Sequence, residues 1–271
     1  QDAYRKIRNT LRYLFGNIND FDQKKDALPN EQMLEIDNWA MQQLQKLIAE
    51  VTEANEEFTY HRVFSSLYNF CSVEMSSIYM DVLKDRMYCD AADSPSRRSG
   101  QTAMYEVLSA LVRMLAPVLV HTAEEDWGAM TVKPEDVASV HLAHMPKVDP
   151  AIDYANEEAK WAQLMGLRDE VLKVLEGLRK DKIIASNQEA SVTIQCDPED
   201  AAAIRKFGVD QFAALCIVSE IKLEEGATQT AVAAAKSPHA KCQRCWNYWP
   251  SVGKDEHPEI CDRCAAVVAK Q

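Results

Sequence analysis

Apolar side chains recur at spacings of three and four residues through the first half of the chain, the period of helices with one buried face. Tyr4, Ile7, Leu11, Leu14 and Ile18 share one side of a helix predicted over residues 3–18. Residues 30–94 make a run of 65 positions without Gly or Pro, rich in Leu, Met, Gln, Glu and Ala, which favour helix. One straight helix of that length would reach about 98 Å, so the run must fold back. The polar stretch 53–59 supplies the turn. Before it, Met33, Ile36, Ala40, Leu44, Leu47 and Val51 keep the helical period, and after it Val63, Leu67, Phe70, Ile78 and Val82 do the same. Two long antiparallel helices are expected. Another is predicted over 99–116, with Met104, Val107, Leu108, Leu111 and Leu115 inward and a stop at Pro117. Thr122 followed by Glu125 has the form of a capping box and predicts one more short helix from there.

The pattern then changes. Residues 132–150 carry three prolines and no helical period, which suits a boundary. A connecting helix is predicted from about Ile152 to Ile183, with Trp161, Leu164, Leu167, Val171, Val174 and Leu178 inward. Residues 190–196 (ASVTIQC) read as a strand, Asp197 and Pro198 start a helix that runs through Phe207, and 214–223 (ALCIVSEIKL) read as a second strand. The Ala- and Thr-rich stretch 227–237 reads as a linker. The expected fold is therefore mainly α: a helical bundle over 1–150, a connecting helix over 151–185, a small α/β unit with a linker over 186–236, and a C-terminal module over 237–271.

Net charge is −12, which by itself argues against a nucleic-acid partner. The acidity is regional, however. Residues 1–30 sum to +2 and 241–271 to +1, whereas 31–60 sum to −6 and 121–150 to −4. Only 8 glycines occur, none closer than the eleven residues from Gly166 to Gly177, so the clustered glycines of a phosphate-binding loop are absent. No apolar run approaches a membrane span and no charged-then-apolar leader opens the sequence, so a soluble, cytoplasmic protein without a membrane partner is expected; a monomer is expected as well. The sequence opens at Gln1 already inside a helical pattern, as a piece of something longer would.

Four of the 8 cysteines fall near the end, as Cys242-Gln-Arg-Cys245 and Cys261-Asp-Arg-Cys264, with fifteen residues between the pairs. Two C-x-x-C knuckles present four thiolates to one centre, the closed tetrahedral set of a structural Zn²⁺ with no position left for a catalytic water. Two disulfides are the alternative, but they need an oxidising compartment, and Cys71, Cys89, Cys196 and Cys216 sit singly in apolar patterns. Lys241, Arg244 and Arg263 flank the knuckles and either balance the thiolates or reach outward to phosphate. Of Trp246, Tyr248 and Trp249, at least one must form core and another is free to stack on a base. Arg5, Arg8 and Arg12 share one face of the first helix, a solvated face or a phosphate-binding one. Arg97 and Arg98 stand at the mouth of a helix, a setting that suits an anion. His141 and His144 are poorly spaced for a metal, and no nucleophile, base and acid assemble into a catalytic set.

These stretches resemble one family. YRKIRNTLRYLFGNINDFD (4–22), NFCSVEMSSIYMDVLKDRMY (69–88), SRRSGQT (96–102), LAPVLVHTAEEDW (115–127), LRDEVLKVLEGLR (167–179), KCQRCWNY (241–248) and HPEICDRC (257–264) are similar, in order, to the C-terminal part of bacterial-type isoleucyl-tRNA synthetases. A departure is KIIASNQEA (182–190), where the family more often carries Gly at Ala185, Ser at Asn187 and Leu at Gln188.

The resemblance implies a class I ligase that activates isoleucine with ATP and attaches it to its tRNA. Its catalytic domain, with the ATP and Mg²⁺ site, and its editing domain have no counterpart here and would be partners from the same polypeptide. What remains resembles the anticodon-binding bundle and the zinc-binding domain, so the fragment alone is expected to be inactive. Carried onto matching positions, the zinc ligands are Cys242, Cys245, Cys261 and Cys264, and the tRNA contacts are Arg244, Trp246 and Lys241, with Arg5, Arg8, Arg12, Arg97 and Arg98. Two alternatives remain: a zinc-stabilised helical scaffold for protein partners, or a DNA-repair glycosylase, whose zinc finger has similar spacing but which needs a catalytic domain opening on proline.

Overall fold

The computed structural model describes residues 2–153, 157–254 and 256–270 and divides into two compact units, Gln1–Leu83 with Ala91–Ala155, and Lys84–Asp90 with Asn156–Gln271. The first is helical. Helix α1 (Asp2–Asn17) buries Ile7, Leu11 and Leu14 on the predicted face, and α2 (Gln23–Asp26) is a single turn capped by Asp22. Helix α3 (Glu35–Glu56) pairs with α4 (Tyr60–Asn69) across a three-residue turn in which Phe58 adopts φ 56°, so the reversal is tighter than the stretch 53–59 suggested.

From α4 the chain continues through a π-helical segment, Phe70–Tyr79, into α5 (Met80–Cys89). Its wider turn changes which side chains face inward. Met75 and Tyr79 are fully buried, and Ile78, expected inward by the 3.6 period, is only half-buried. Ser76 and Ser77 hydroxyls bond carbonyls five residues back, at Cys71 (2.7 Å) and Ser72 (2.8 Å), and Thr10 of α1 reaches the same Cys71 carbonyl at 3.3 Å.

Helix α6 (Pro95–Leu115) is buried nearly all round, from Ser99 to Leu115, as a helix at the centre of a bundle must be. Against it packs α7 (Val120–Ala129). That helix starts before Thr122, with Leu119 at its N-cap, so the capping box does not form; the Thr122 hydroxyl instead pairs with the Tyr4 hydroxyl at 3.3 Å. A fully buried acid, Asp37, lies in the first turn of α3. One carboxylate oxygen accepts from the Tyr79 hydroxyl at 2.8 Å and the other from the Ser99 hydroxyl, which itself accepts the Leu34 N–H at 2.8 Å. A buried carboxylate is tolerated because its lone pairs are satisfied and the helix N-terminus favours its charge.

In the second unit, α8 (Glu158–Lys180) buries Trp161, Leu164, Leu167, Arg168, Val171 and Leu175; the start predicted near Ile152 runs into residues 154–156, outside the described ones. Leu175 takes the inward position expected of Val174 and Leu178, which are half-buried. Strand β1 (Ala190–Cys196) alternates as predicted, and α9 (Pro198–Phe207) is capped by the Asp197 carboxylate, which accepts from the N–H groups of Glu199 and Asp200. The second strand is shorter than expected. Ala214, Leu215 and Cys216 end α10 (Val209–Cys216), Ile217 turns through φ 58°, and β2 covers only Glu220–Glu225. A short apolar run fits a buried helix face as well as a strand.

The expected linker is also partly a strand. Strand β3 (Ala231–Lys236) pairs antiparallel with β1, which runs parallel to β2, giving the order β2-β1-β3. Alanine has little strand preference of its own; pairing with a central strand overrides it. Helix α8 packs on β3, α9 and α10, where Trp161 meets Phe207 edge-on at 5.5 Å. Among the described residues no helix is long and apolar enough to cross a membrane.

Candidate metal centre and nucleic-acid interface

Strands β4 (Ala240–Lys241) and β5 (Tyr248–Trp249) pair antiparallel, and the loop between them forms the first knuckle. Its turn closes by the Trp246 N–H to the Cys242 carbonyl and the Cys242 N–H to the Asn247 carbonyl, both 2.9 Å. The second knuckle opens α11 (Asp262–Val268), with Cys261 at its N-cap and Cys264 in its first turn. The two are tied where the Gln243 N–H meets the Glu259 carbonyl at 2.9 Å and the Cys261 N–H meets the Cys242 sulfur at 3.3 Å.

All four sulfurs lie within 4.8 Å of one another, buried and unbridged. Tetrahedral Zn²⁺ with Zn–S bonds of about 2.3 Å sets sulfurs about 3.8 Å apart, and the Cys245 and Cys261 sulfurs stand 3.9 Å apart. Burial opposes ionising Cys242, but backbone hydrogen bonds from Cys245, Cys261 and Arg244 outweigh it and lower its pKa to about 6. Burial pushes Cys245 and Cys261 up to about 11 and Cys264 to about 12, with neighbouring thiols adding to the shift. Four thiolates this close need a soft divalent cation among them, and the donor set fits one structural Zn²⁺.

Cys89, expected as an isolated core residue, is buried in the same cluster, and Trp249, Val252 and Ile260 pack against it. Trp246 stands apart, 61% exposed, with the Lys241 ammonium 5.2 Å from its ring centre. It adopts φ 66°, a conformation that disfavours any residue with a Cβ.

The arginines divide into two groups. Arg5 and Arg12 are exposed on α1, Arg5 only loosely paired with Asp2 at 3.9 Å. Arg8 meets Glu125 and the Tyr4 hydroxyl, each at 3.3 Å, a surface pairing that a phosphate can displace. Arg97 instead grips both carboxylate oxygens of Asp20 at 3.0 and 3.1 Å, and Arg98 bonds the Asp20 carbonyl at 3.0 Å and Gln101 at 2.7 Å, with Asp26 at 3.6 Å. The anion expected at the mouth of α6 is thus supplied by the chain itself. Arg244 donates to the Cys89 carbonyl. His144 binds Glu135 at 2.8 Å and belongs to no metal cluster among the described residues.

Residues 37–194 match the family model described as the anticodon-binding domain of tRNA ligase. The chain belongs to that family. A second model, described as the zinc finger found in FPG and IleRS, matches residues 241–267, the stretch holding all four clustered cysteines. Family membership and the zinc finger lie on one polypeptide in that order. The isoleucine–tRNA ligases of Symbiobacterium thermophilum and Caldicellulosiruptor saccharolyticus are each 42% identical to it, and that of Geobacter sulfurreducens 39%, over 98% of the chain in every case. The chain spans 29–30% of the length of these relatives.

Proposed function

We propose that this chain is the tRNA-recognition, anticodon-side portion of an isoleucine–tRNA ligase, a cytoplasmic, monomeric enzyme that activates isoleucine with ATP and attaches it to its tRNA. The observation that carries the reading is 42% identity to an isoleucine–tRNA ligase along 98% of the chain. In this reading residues 1–150 serve as the anticodon-binding unit and 237–271 as the zinc-binding unit, with a connecting helix and the α/β unit between them in sequence. Cys242, Cys245, Cys261 and Cys264 hold one Zn²⁺, which closes the two knuckles and takes no part in chemistry.

RNA contact falls to groups with free faces. Trp246 offers one side of its ring to an unpaired base while Lys241 covers the other and adds charge. Arg5, Arg12 and Arg8 line α1 for phosphate. Arg97, Arg98 and Arg244 contribute indirectly, by holding the segments they are bonded to: Arg97 the Asp20 carboxylate, Arg98 the Asp20 carbonyl and Arg244 the Cys89 carbonyl. ATP and Mg²⁺ act in the catalytic domain, so these 271 residues should bind tRNA and not aminoacylate it. Gel-shift titration against isoleucine tRNA and a non-cognate tRNA at two salt concentrations tests this: the expectation is tighter cognate binding that weakens steeply with salt, and equal affinity for both would refute it.

A further inference from the structure

The two knuckles are alike in one respect beyond their cysteines. Each carries an arginine directly before its second cysteine, Arg244 before Cys245 and Arg263 before Cys264. Both reach the same place, the C-terminal half of α5, more than 150 residues upstream. Arg263 forms a two-pronged pair with Asp85, Nη1 to Oδ2 at 2.6 Å and Nη2 to Oδ1 at 2.7 Å, and stands 3.5 Å from Asp90. Arg244 donates to the Cys89 carbonyl, at the helix end where unpaired carbonyls and the helix dipole favour a cation. The Cys89 thiol returns a bond to the Arg244 carbonyl at 3.5 Å, and the Asn247 side-chain amide reaches Asp85 at 3.5 Å. Residues 84–90 accordingly segregate with the zinc-binding segment in one compact unit.

We propose that Asp85 is a positioning residue of the zinc site: with the Cys89 carbonyl it anchors the arginine of each knuckle, and so holds Cys264 and Cys245 in register with the other two sulfurs. The inference rests on the four-cysteine zinc reading. Zinc leaves such a site when one thiolate swings away, and a knuckle whose neighbouring arginine is pinned by two charge-assisted hydrogen bonds swings less readily. The same arginines set two positive charges beside a cluster whose four thiolates and one Zn²⁺ sum to −2. Groups that orient metal ligands in this way change metal affinity by about ten- to a hundredfold when removed.

The test is zinc release from the 271-residue chain into excess chelator, followed with a zinc-sensitive dye, after elemental analysis of the starting protein. Asp85→Ala and Arg263→Ala should each speed release by about tenfold or more, and the double variant should release no faster than the faster single one. Asp85→Asn, which keeps the shape and loses the charge, guards against a folding defect and should also release faster, with helicity at 222 nm unchanged. Arg205→Ala, in the separate pair with Glu225, should match the parent. Release within twofold of the parent in the Asp85 variants, or effects that multiply in the double, would overturn the inference while leaving the zinc site standing. A parent chain that carries no zinc would overturn both.

Discussion

The helical bundle and the zinc-binding tail solve the same problem with different materials. In the bundle Ile7, Leu14, Leu67, Met75, Leu83, Met104, Leu108 and Leu111 are entirely excluded from water, and each such aliphatic side chain contributes roughly 1.5–3 kcal/mol by leaving it. From residue 238 to the end, the buried side chains among the described residues are Cys242, Cys245, Cys261 and Cys264. The tail has a core of sulfur. An apolar core holds itself together, whereas four crowded thiols hold together only around a cation, so the two regions should respond oppositely to the same perturbations.

The largest expected effect comes from taking that cation away. Chelation, or Cys261→Ser, should remove binding free energy on the order of 10 kcal/mol from the tail, unfolding the β4–β5 hairpin and α11. Circular dichroism should retain most helix and proteolysis should cut beyond residue 237 first. The converse perturbation is Asp37→Ala. It strips the Tyr79 and Ser99 hydroxyls of a buried acceptor and should cost the bundle about 3 kcal/mol, seen as a lower denaturant midpoint with zinc content unchanged.

Trp246→Gly separates function from stability. Glycine suits the left-handed backbone that tryptophan occupies at φ 66°, so zinc retention should hold and stability should stay level or rise by about 1 kcal/mol. tRNA affinity should fall about tenfold through loss of one stacking face. The smallest effect concerns pH. Burial lifts Asp126 to about 6, with the Glu125 charge adding to it, and its Oδ2 has no hydrogen-bond partner among the described residues. The folded state therefore holds this proton more tightly than the unfolded chain, whose aspartate titrates near 4. Stability should decline as pH rises from about 4 through about 6, by about 1 kcal/mol once partial hydration of this half-buried group is allowed for. Asp126→Asn should flatten thermal melts across that window.

Much of this was legible in the sequence, for reasons that differ by region. The metal centre was written in four residues at fixed spacing, and α1, α3, α6 and the Asp197 cap in local periodicity and local hydrogen bonding. Pairings between distant residues were not. Nothing near Ala233 signals its place opposite Thr193 in a sheet, and nothing near Arg97 signals that Asp20 will occupy its guanidinium. The π-helical turn shifted burial from Ile78 to Tyr79 because a 3.6-residue period assumes an unbroken helix. Asp85 escaped notice for the same reason as Asp20: a single sequence shows its charge, and only the fold shows that its partner is Arg263, 178 residues away.

The most direct measurement of the central claim compares two RNAs that differ in three bases. One is isoleucine tRNA, the other the same transcript with its anticodon replaced, each titrated against the zinc-loaded chain at moderate salt. Recognition through the anticodon side predicts binding weakened by about tenfold or more on replacement, corresponding to about 1.4 kcal/mol, whereas indistinguishable affinities would contradict it.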